Sequence, residues 1–413
     1  MKKALPLSIF VLLLAGCFKQ SVRPGGSELE LVYLTDLSKF EGDMAGLKAL
    51  GESEPASLLV VDDPCLSTIE SLAWWEGERE ISLLEALGCD LFFPPAEWCF
   101  LGPERLYDLS SRVEFFIVAL DVVDEENNYP LSRYMIHQQS PYRVAVSAGL
   151  APSDYAQTFT GLRRLPPDSI LPITASFLRM QSDFFLFFDG YDSLPEGIYA
   201  IPRGGKTRWM KFRFVSRVEF KLKEWGVDFE SMGSGEEAPL ALWQAHADSL
   251  DARVLGTCEE SLTIESLEIL ANKALKRLAE DRFSVDDIGI LIPEGFITGE
   301  IPAGRITFGM MRKILAPEIF FLVSMKDLPD DIASRSRNFS LEGEIQAALL
   351  PSSLCLADDR FQGKSLKITG ITSARIARQM FARNTPRNTP RNTPRNTHNT
   401  PRNTSSGMSE EEP

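Results

Sequence analysis

Four carboxylates stand close behind short apolar runs: Asp36 after Leu29–Thr35 (LELVYLT), Asp63 after Ser57–Val61 (SLLVV), Glu97 after Leu91–Phe93 and a Pro-Pro turn, and Asp189 after Phe184–Phe188. Carboxylates gathered from several strand ends can supply oxygen ligands to one hard ion such as Mg²⁺, Mn²⁺ or Ca²⁺. Acidic residues also close strands with no further role, and that plainer reading is the stronger one. Imidazole is scarce, since the chain holds three histidines, His137, His246 and His398. That is too few for a dinuclear site, which needs several neutral imidazoles to hold two ions and generate hydroxide. His137 reads as a structural residue between strands. The stretch Gly88–Leu106 (GCDLFFPPAEWCFLGPERL) is where chemistry would sit, a buried strand with a loop at its carboxyl end.

The elements around that stretch read as α/β. A helix over Glu78–Leu87 places Ile81, Leu84 and Leu87 on one face. Strands are expected over Leu29–Thr35, Ser57–Val61, Leu91–Phe93, Val113–Leu120, Arg143–Ser147 and Phe184–Phe188. Short, nearly continuous apolar strands imply sheet buried on both faces. Trp209–Phe220 alternates polar and apolar residues, as in a half-exposed antiparallel strand or hairpin. A polar, Gly-rich break follows at 226–239, where a domain boundary is expected. Beyond it the spacing predicts helices over Leu240–Ala252, Ile264–Leu278 and Met310–Leu315, and strands over Asp287–Pro293 and Phe320–Val323. From Arg383 the tandem Arg-Asn-Thr-Pro units cannot build a packed core, so residues 383–413 read as a disordered tail.

The amino terminus carries Lys2 and Lys3, an apolar run over Leu5–Leu14, and Leu14-Ala15-Gly16-Cys17. That run is too short to span a bilayer and fits a signal-peptide core. Its ending resembles the bacterial lipobox, which implies lipid on Cys17, an exported lipoprotein of the periplasm or cell surface, and a short tether over residues 18–27. The membrane is then a partner through Cys17. The remaining Cys65, Cys89, Cys99, Cys258 and Cys355 are odd in number, so one is free or pairs outside the chain; whether Cys89 bridges Cys99 stays open. No Cys-x-x-Cys, Walker loop, Gly-x-Gly-x-x-Gly or Gly-x-Ser-x-Gly motif is present. A formal net charge of −15 argues against a nucleic-acid partner.

The order of motifs resembles the 5'-nucleotidase and UDP-sugar hydrolase family. Leu31–Ser38 (LVYLTDLS), Leu58–Pro64 (LLVVDDP), Gly88 with Asp90, Gly102-Pro103-Glu104, and Ile301-Pro302-Ala303-Gly304 with Ile306-Thr307 carry the likeness, over roughly residues 28 to 330. It implies a calcineurin-like metallophosphoesterase sandwich over residues 28–225, a linker over 226–239, and a second α/β domain of the 5'-nucleotidase carboxy-terminal type over 240–382. On that pattern Asp36 and Asp63 match metal ligands, while Ser38 and Ala96 stand at ligand positions that have been lost. Glu97 takes the place of the catalytic histidine. Thr298 replaces the arginine that would bind substrate phosphate, and Ala316-Pro317 with Ile319 replaces the segment whose ring stacks on the base. Losing a guanidinium fork and a stacking ring weakens nucleotide binding by kcal/mol each.

Three readings follow. The leading one is a catalytically dead, lipid-anchored member of this fold that works by binding a protein or small molecule and needs no cofactor. The second is a metal-dependent phosphohydrolase with a remodelled carboxylate site, acting on nucleotides or nucleotide sugars and holding Mn²⁺, Zn²⁺, Mg²⁺ or Ca²⁺. The third is a structural envelope lipoprotein that makes contacts through its repeat tail.

Overall fold

Alternate residues of the first apolar run enter different cores: Leu29, Leu31 and Tyr33 one, Val32 and Leu34 another. A strand covered on both sides must lie between two layers. The computed structural model describes residues 21–23, 28–35, 57–62, 68–139, 141–150, 158–189, 194–204, 207–216, 219–226, 245, 247–283, 288–329, 332, 347–361 and 364–382. Asp36, Ser38, Asp63, Cys17, Cys65, His246, His398, residues 227–244 and the repeat tail lie outside them.

In the first half the strands are β1 (Ser21–Arg23), β2 (Glu28–Leu34), β3 (Ser57–Val61), β4 (Leu91–Phe92), β5 (Phe116–Ile117), β6 (Val122–Asp124) and β7 (Met135–Gln139). They continue with β8 (Tyr142–Ala148), β9 (Thr158–Thr160), β10 (Leu162–Arg164), β11 (Phe184–Phe188), β12 (Ile198–Ile201), β13 (Arg208–Ser216) and β14 (Glu219–Gly226). The helices here are α1 (Ile69–Trp75), α2 (Glu78–Ala86), α3 (Pro103–Arg112) and α4 (Pro167–Leu178). Two sheets face each other, one in the order β14-β13-β2-β3-β4-β5 and the other β1-β7-β8-β11-β12. Leu31, Val60, Val146, Leu186 and Phe212 fill the space between them. Helices α1 to α3 cover the first sheet and α4 the second, so the layers run α/β/β/α. This is the sandwich that the resemblance implies.

Most of the expected elements form near their expected limits. Phe184–Phe188 is a strand from end to end, and the alternating Trp209 segment is the first arm of the β13–β14 hairpin. Gly88 sits at φ 69 just past α2, which lets Cys89 N reach back to Leu84 O at 2.9 Å and end the helix. The run Val113–Leu120 is split between sheets. Phe116–Ile117 pairs with β4, and then Ala119 N bonds Ser132 O and Leu120 N bonds Ala148 O at the second sheet. The stretch 18–27 is not all tether, because Ser21–Arg23 pairs in parallel with β7.

The second half holds β15 (Val254–Cys258), α5 (Ile264–Arg282), β16 (Ile288–Ile290), β17 (Gly304–Thr307), α6 (Phe308–Ile314), β18 (Ile319–Ser324), β19 (Ala347–Pro351), α7 (Ser352–Cys355), β20 (Ser365–Thr372) and α8 (Ser373–Met380). Its main sheet runs β16-β19-β18-β20-β9, so it takes in a strand from before the expected boundary. One face carries α5, α6 and α8. The other places Phe321, Leu350 and Ile368 in the same core as Leu84 and Leu106 of the first half. The described residues through Phe381 therefore form one compact unit.

Candidate functional site

The strand ends that should collect metal ligands are occupied by a guanidinium. Arg203 follows β12 and reaches across the mouth of the sandwich to Asp62, at the end of β3. Its Nε lies 3.0 Å and 2.9 Å from the two Asp62 oxygens, and Nη2 lies 2.8 Å from Oδ1. Nη1 donates to the Gly149 carbonyl after β8, and Nη2 also faces the carbonyls of Phe93 and Pro94, at 3.4 Å and 3.5 Å, after β4. The side chains of Arg203 and Asp62 are only 8% and 6% exposed. The Tyr33 hydroxyl donates to Asp62 Oδ2 and accepts from Gly204 N at 2.9 Å. Burial, and then the Asp62 carboxylate, push the Tyr33 phenol above its ordinary range.

The sequence reading missed this pair. It singled out Asp63, one residue along, and gave Arg203 no role. Pro202-Arg203-Gly204-Gly205 looks like an ordinary turn, and nothing in its spacing announces that the arginine returns 141 positions to Asp62. The doublet Asp62-Asp63 was the one available signal.

The loop expected to carry chemistry is a packing element. Residues Ala96–Leu101 form a 3-10 helix whose Trp98, Phe100 and Leu101 are at most 1% exposed. Trp98 stands edge-on to Phe92 at 5.0 Å, and Phe100 edge-on to Phe321 of β18 at 5.3 Å. Ala96 is buried and Glu97 half-buried at its start, two and three residues past Pro94. The apolar run Trp98–Leu101 explains the difference, since each large side chain buried there contributes about 1.5–3 kcal/mol.

Asp189 ends β11 near the same mouth. A Cβ on Gly149 would lie 2.6 Å from Asp189 Oδ2 and 3.6 Å from Asp121 Oδ2. Asp121 is already held, with Oδ2 2.5 Å from Arg164 Nε and Oδ1 accepting from Leu150 N at 2.7 Å. His137 is fully buried within β7, opposite Val144. Val144 lies four residues before the end of β8, about 13 Å by strand rise. Among the described residues no group of three or more His, Cys, Asp or Glu has the placement to hold a metal ion.

At the second half, Thr298 and Pro317 fall on neighbouring segments, because Thr298 N bonds Ile314 O at 2.8 Å and Ala316 N bonds Phe296 O at 2.8 Å. Thr298 Oγ1 also donates to Ile314 O at 3.1 Å, so the hydroxyl closes the loop. Glu318, beside the exposed Pro317, is buried and accepts from Ser352 Oγ at 2.6 Å and Ser353 N at 2.9 Å.

A cleft of about 270 Å³ opens between the halves, lined by Trp74, Trp75, Glu76, Arg105, Phe308 and Arg378 among others. Its charges are largely matched within the protein. Glu76 receives Arg375 Nε at 2.8 Å, Arg378 Nη2, and Thr372 Oγ1 at 2.7 Å. Burial alone would raise the Glu76 carboxyl, but Arg378 and Arg375 pull it down to about 2.

No family model and no curated protein matches the sequence. Solved structures are similar in overall arrangement. A 5'-nucleotidase precursor of Thermus thermophilus matches with 13% identity and TM-score 0.45, over 86% of this chain and 96% of that one. The Haemophilus influenzae NAD nucleotidase matches with 9% identity and TM-score 0.45, over 84% and 95%. A Thermus thermophilus sulfate thiohydrolase matches with 17% identity and TM-score 0.41, over 80% and 83%. At such scores the likeness carries no inference about chemistry, and the site rests on the residues above.

Among the described residues, the groups at this mouth do not fit a dinuclear metal centre. The carbonyl oxygens of Phe93, Pro94 and Gly149 and the Asp62 carboxylate all face the Arg203 guanidinium. With its phenol raised, Tyr33 is no general base near neutrality. What the cluster does is join the ends of β2, β3, β4, β8 and β12 around one fixed positive charge.

Proposed function

We propose that this chain is a lipid-anchored pseudoenzyme on a 5'-nucleotidase-like α/β framework, acting as a binding or surface-interaction protein. The observation that carries this reading is the seat of Arg203. Its planar fork is satisfied by a buried carboxylate and backbone carbonyls at the strand ends where ligands for two cations would converge. A divalent ion there would meet a positive charge within a few ångströms, which costs several kcal/mol in a half-buried site. The packing of Trp98 and Phe100 into the core, in the loop expected to carry chemistry, supports the same reading. So does the engagement of Thr298 by its own loop. The anchor rests on the lipobox-like Leu14–Cys17, and a protein or small molecule as partner is the reading that a retained framework with internally engaged strand-end groups supports.

The test is elemental analysis of the purified mature chain after dialysis against Mn²⁺, Zn²⁺, Mg²⁺ and Ca²⁺, followed by assay with AMP, UDP-glucose and a chromogenic phosphodiester. The expected result is a metal-free, inactive protein. A retained ion with turnover that Asp63→Ala abolishes would overturn this reading in favour of a remodelled hydrolase.

A further inference from the structure

Strand β1 begins at Ser21, which lies opposite His137 of β7 in parallel register. Only Phe18, Lys19 and Gln20 separate it from Cys17. Four residues, fully extended, reach at most about 14 Å. Along the β7 chain, four residues back from His137 is Arg133, whose Nη2 donates to Thr174 Oγ1 of α4 at 2.8 Å. An acyl group on Cys17 would thus be attached no farther than that four-residue reach from the start of β1, at the edge of the second sheet.

Helix α4 covers that sheet with Ile170, Leu171, Ala175 and Leu178. A solvated helix would be polar on its other side. Here Ile173 is 65% exposed and Met180, in the turn that follows, 73%. Phe177 lies between them, half-buried, its ring 6.3 Å from that of Tyr134. Ile173 and Phe177, four apart, lie on neighbouring turns of α4, Phe177 packing at the margin of its core, and Met180 stands in the turn just beyond the helix. Arg179 follows directly on α4 and donates to the Glu196 carbonyl, while Arg133 lies over the Tyr129 ring.

We propose that the outer side of α4 and the turn after it, with Ile173 and Met180 exposed and Phe177 at their margin, lies in the headgroup region of the bilayer that holds acylated Cys17. The inference rests on the lipoprotein reading above. Three side chains are too little apolar area to bind a membrane alone, and a net charge of −15 opposes it. The acyl chains, tethered by so few residues, make the contact effectively intramolecular. The protein then lies flat against the membrane on its second sheet.

The test uses the full lipidated chain with Ile173→Trp, its acyl mass on Cys17 checked by mass spectrometry, in phosphatidylcholine–phosphatidylglycerol vesicles whose acyl chains carry bromine. The added emission at 173 should be quenched about twofold or more, as expected for a side chain at the acyl boundary. Val215→Trp, at an exposed position on the other sheet, should stay bright. Met180→Trp repeats the measurement if the first variant folds poorly. An acylated protein without quenching at either position overturns the docking and leaves the lipoprotein reading standing. A mature protein with no acyl mass overturns both. A long Gly-Ser insert between Gln20 and Ser21 should relieve the quenching, and unchanged quenching would overturn the role of the short tether.

Discussion

Arg203 grips Asp62 with two nitrogens, Nε at 2.9 Å and Nη2 at 2.8 Å, across 141 positions of sequence and with both side chains nearly excluded from solvent. Removing one partner strands the other. Arg203→Met should lower unfolding stability by about 3–5 kcal/mol. Adding Asp62→Asn should restore part of that loss, because the orphaned charge is gone. Urea titration of the three proteins checks both statements, and equal losses in single and double variants would argue against a charge pair.

Glu76 makes the longest-range ion pairs among the described residues, to Arg375 and Arg378 of α8. Its folded carboxyl lies at about 2 against an ordinary 4.5. A depressed acid contributes stability above its unfolded value and loses it as pH falls through the folded one. The contribution is about 3 kcal/mol at neutrality, declining from about pH 5 toward 2. Glu76→Gln should remove that slope from acid-denaturation curves, and a slope unchanged by the substitution would place the acid-sensitive group elsewhere.

Glu80 moves the other way. It is 2% exposed, accepts from Ser71 Oγ, and burial raises its carboxyl. Here the contribution to stability is full below the unfolded value and is lost as pH rises through the folded one. Glu80→Gln is therefore expected to be neutral near pH 4 and stabilising at pH 7 to 8. Thermal melts at the two pH values decide it.

Gly370 closes the seam between the halves at φ 60, where a Cβ would lie 2.5 Å from Leu101 O. Backbone meets backbone there, so no side chain can yield. Gly370→Ala should cost about 1–3 kcal/mol or more and loosen the contact of β20 with the buried 3-10 helix. Hydrogen exchange in residues 96–101 should rise with it.

Cys89, Cys99 and Cys258 carry free thiols, so Cys89 and Cys99 form no bridge. Burial pushes the Cys99 thiol up to about 12 and raises Cys89 and Cys355 as well. Cys258 is the partly exposed one. Alkylation of the native protein at pH 8, read by peptide mass spectrometry, should mark Cys258 well before these three.

Much of the framework was legible because local signals and burial agree. Phe184–Phe188 is apolar throughout and is buried throughout, and Gly88 ends α2 where only a residue tolerant of positive φ fits. The scarcity of histidine was a matter of counting. The loop around Glu97 read less well, since an exposed catalytic loop and a buried 3-10 helix both follow a strand and a Pro-Pro turn. What separates them is Phe321, more than two hundred residues away.

The sequence by itself determined the strand and helix periods, the hairpin at Trp209, and the want of imidazoles, since these depend on residue type and near neighbours. Only the tertiary structure decided that β9 joins the main sheet of the second half, that Glu76 reaches α8, and that Arg203 occupies the mouth of the sandwich. Each of those depends on which distant groups folding brings within hydrogen-bond reach. A charged side chain on a turn carries no local mark of the buried carboxylate that will receive it.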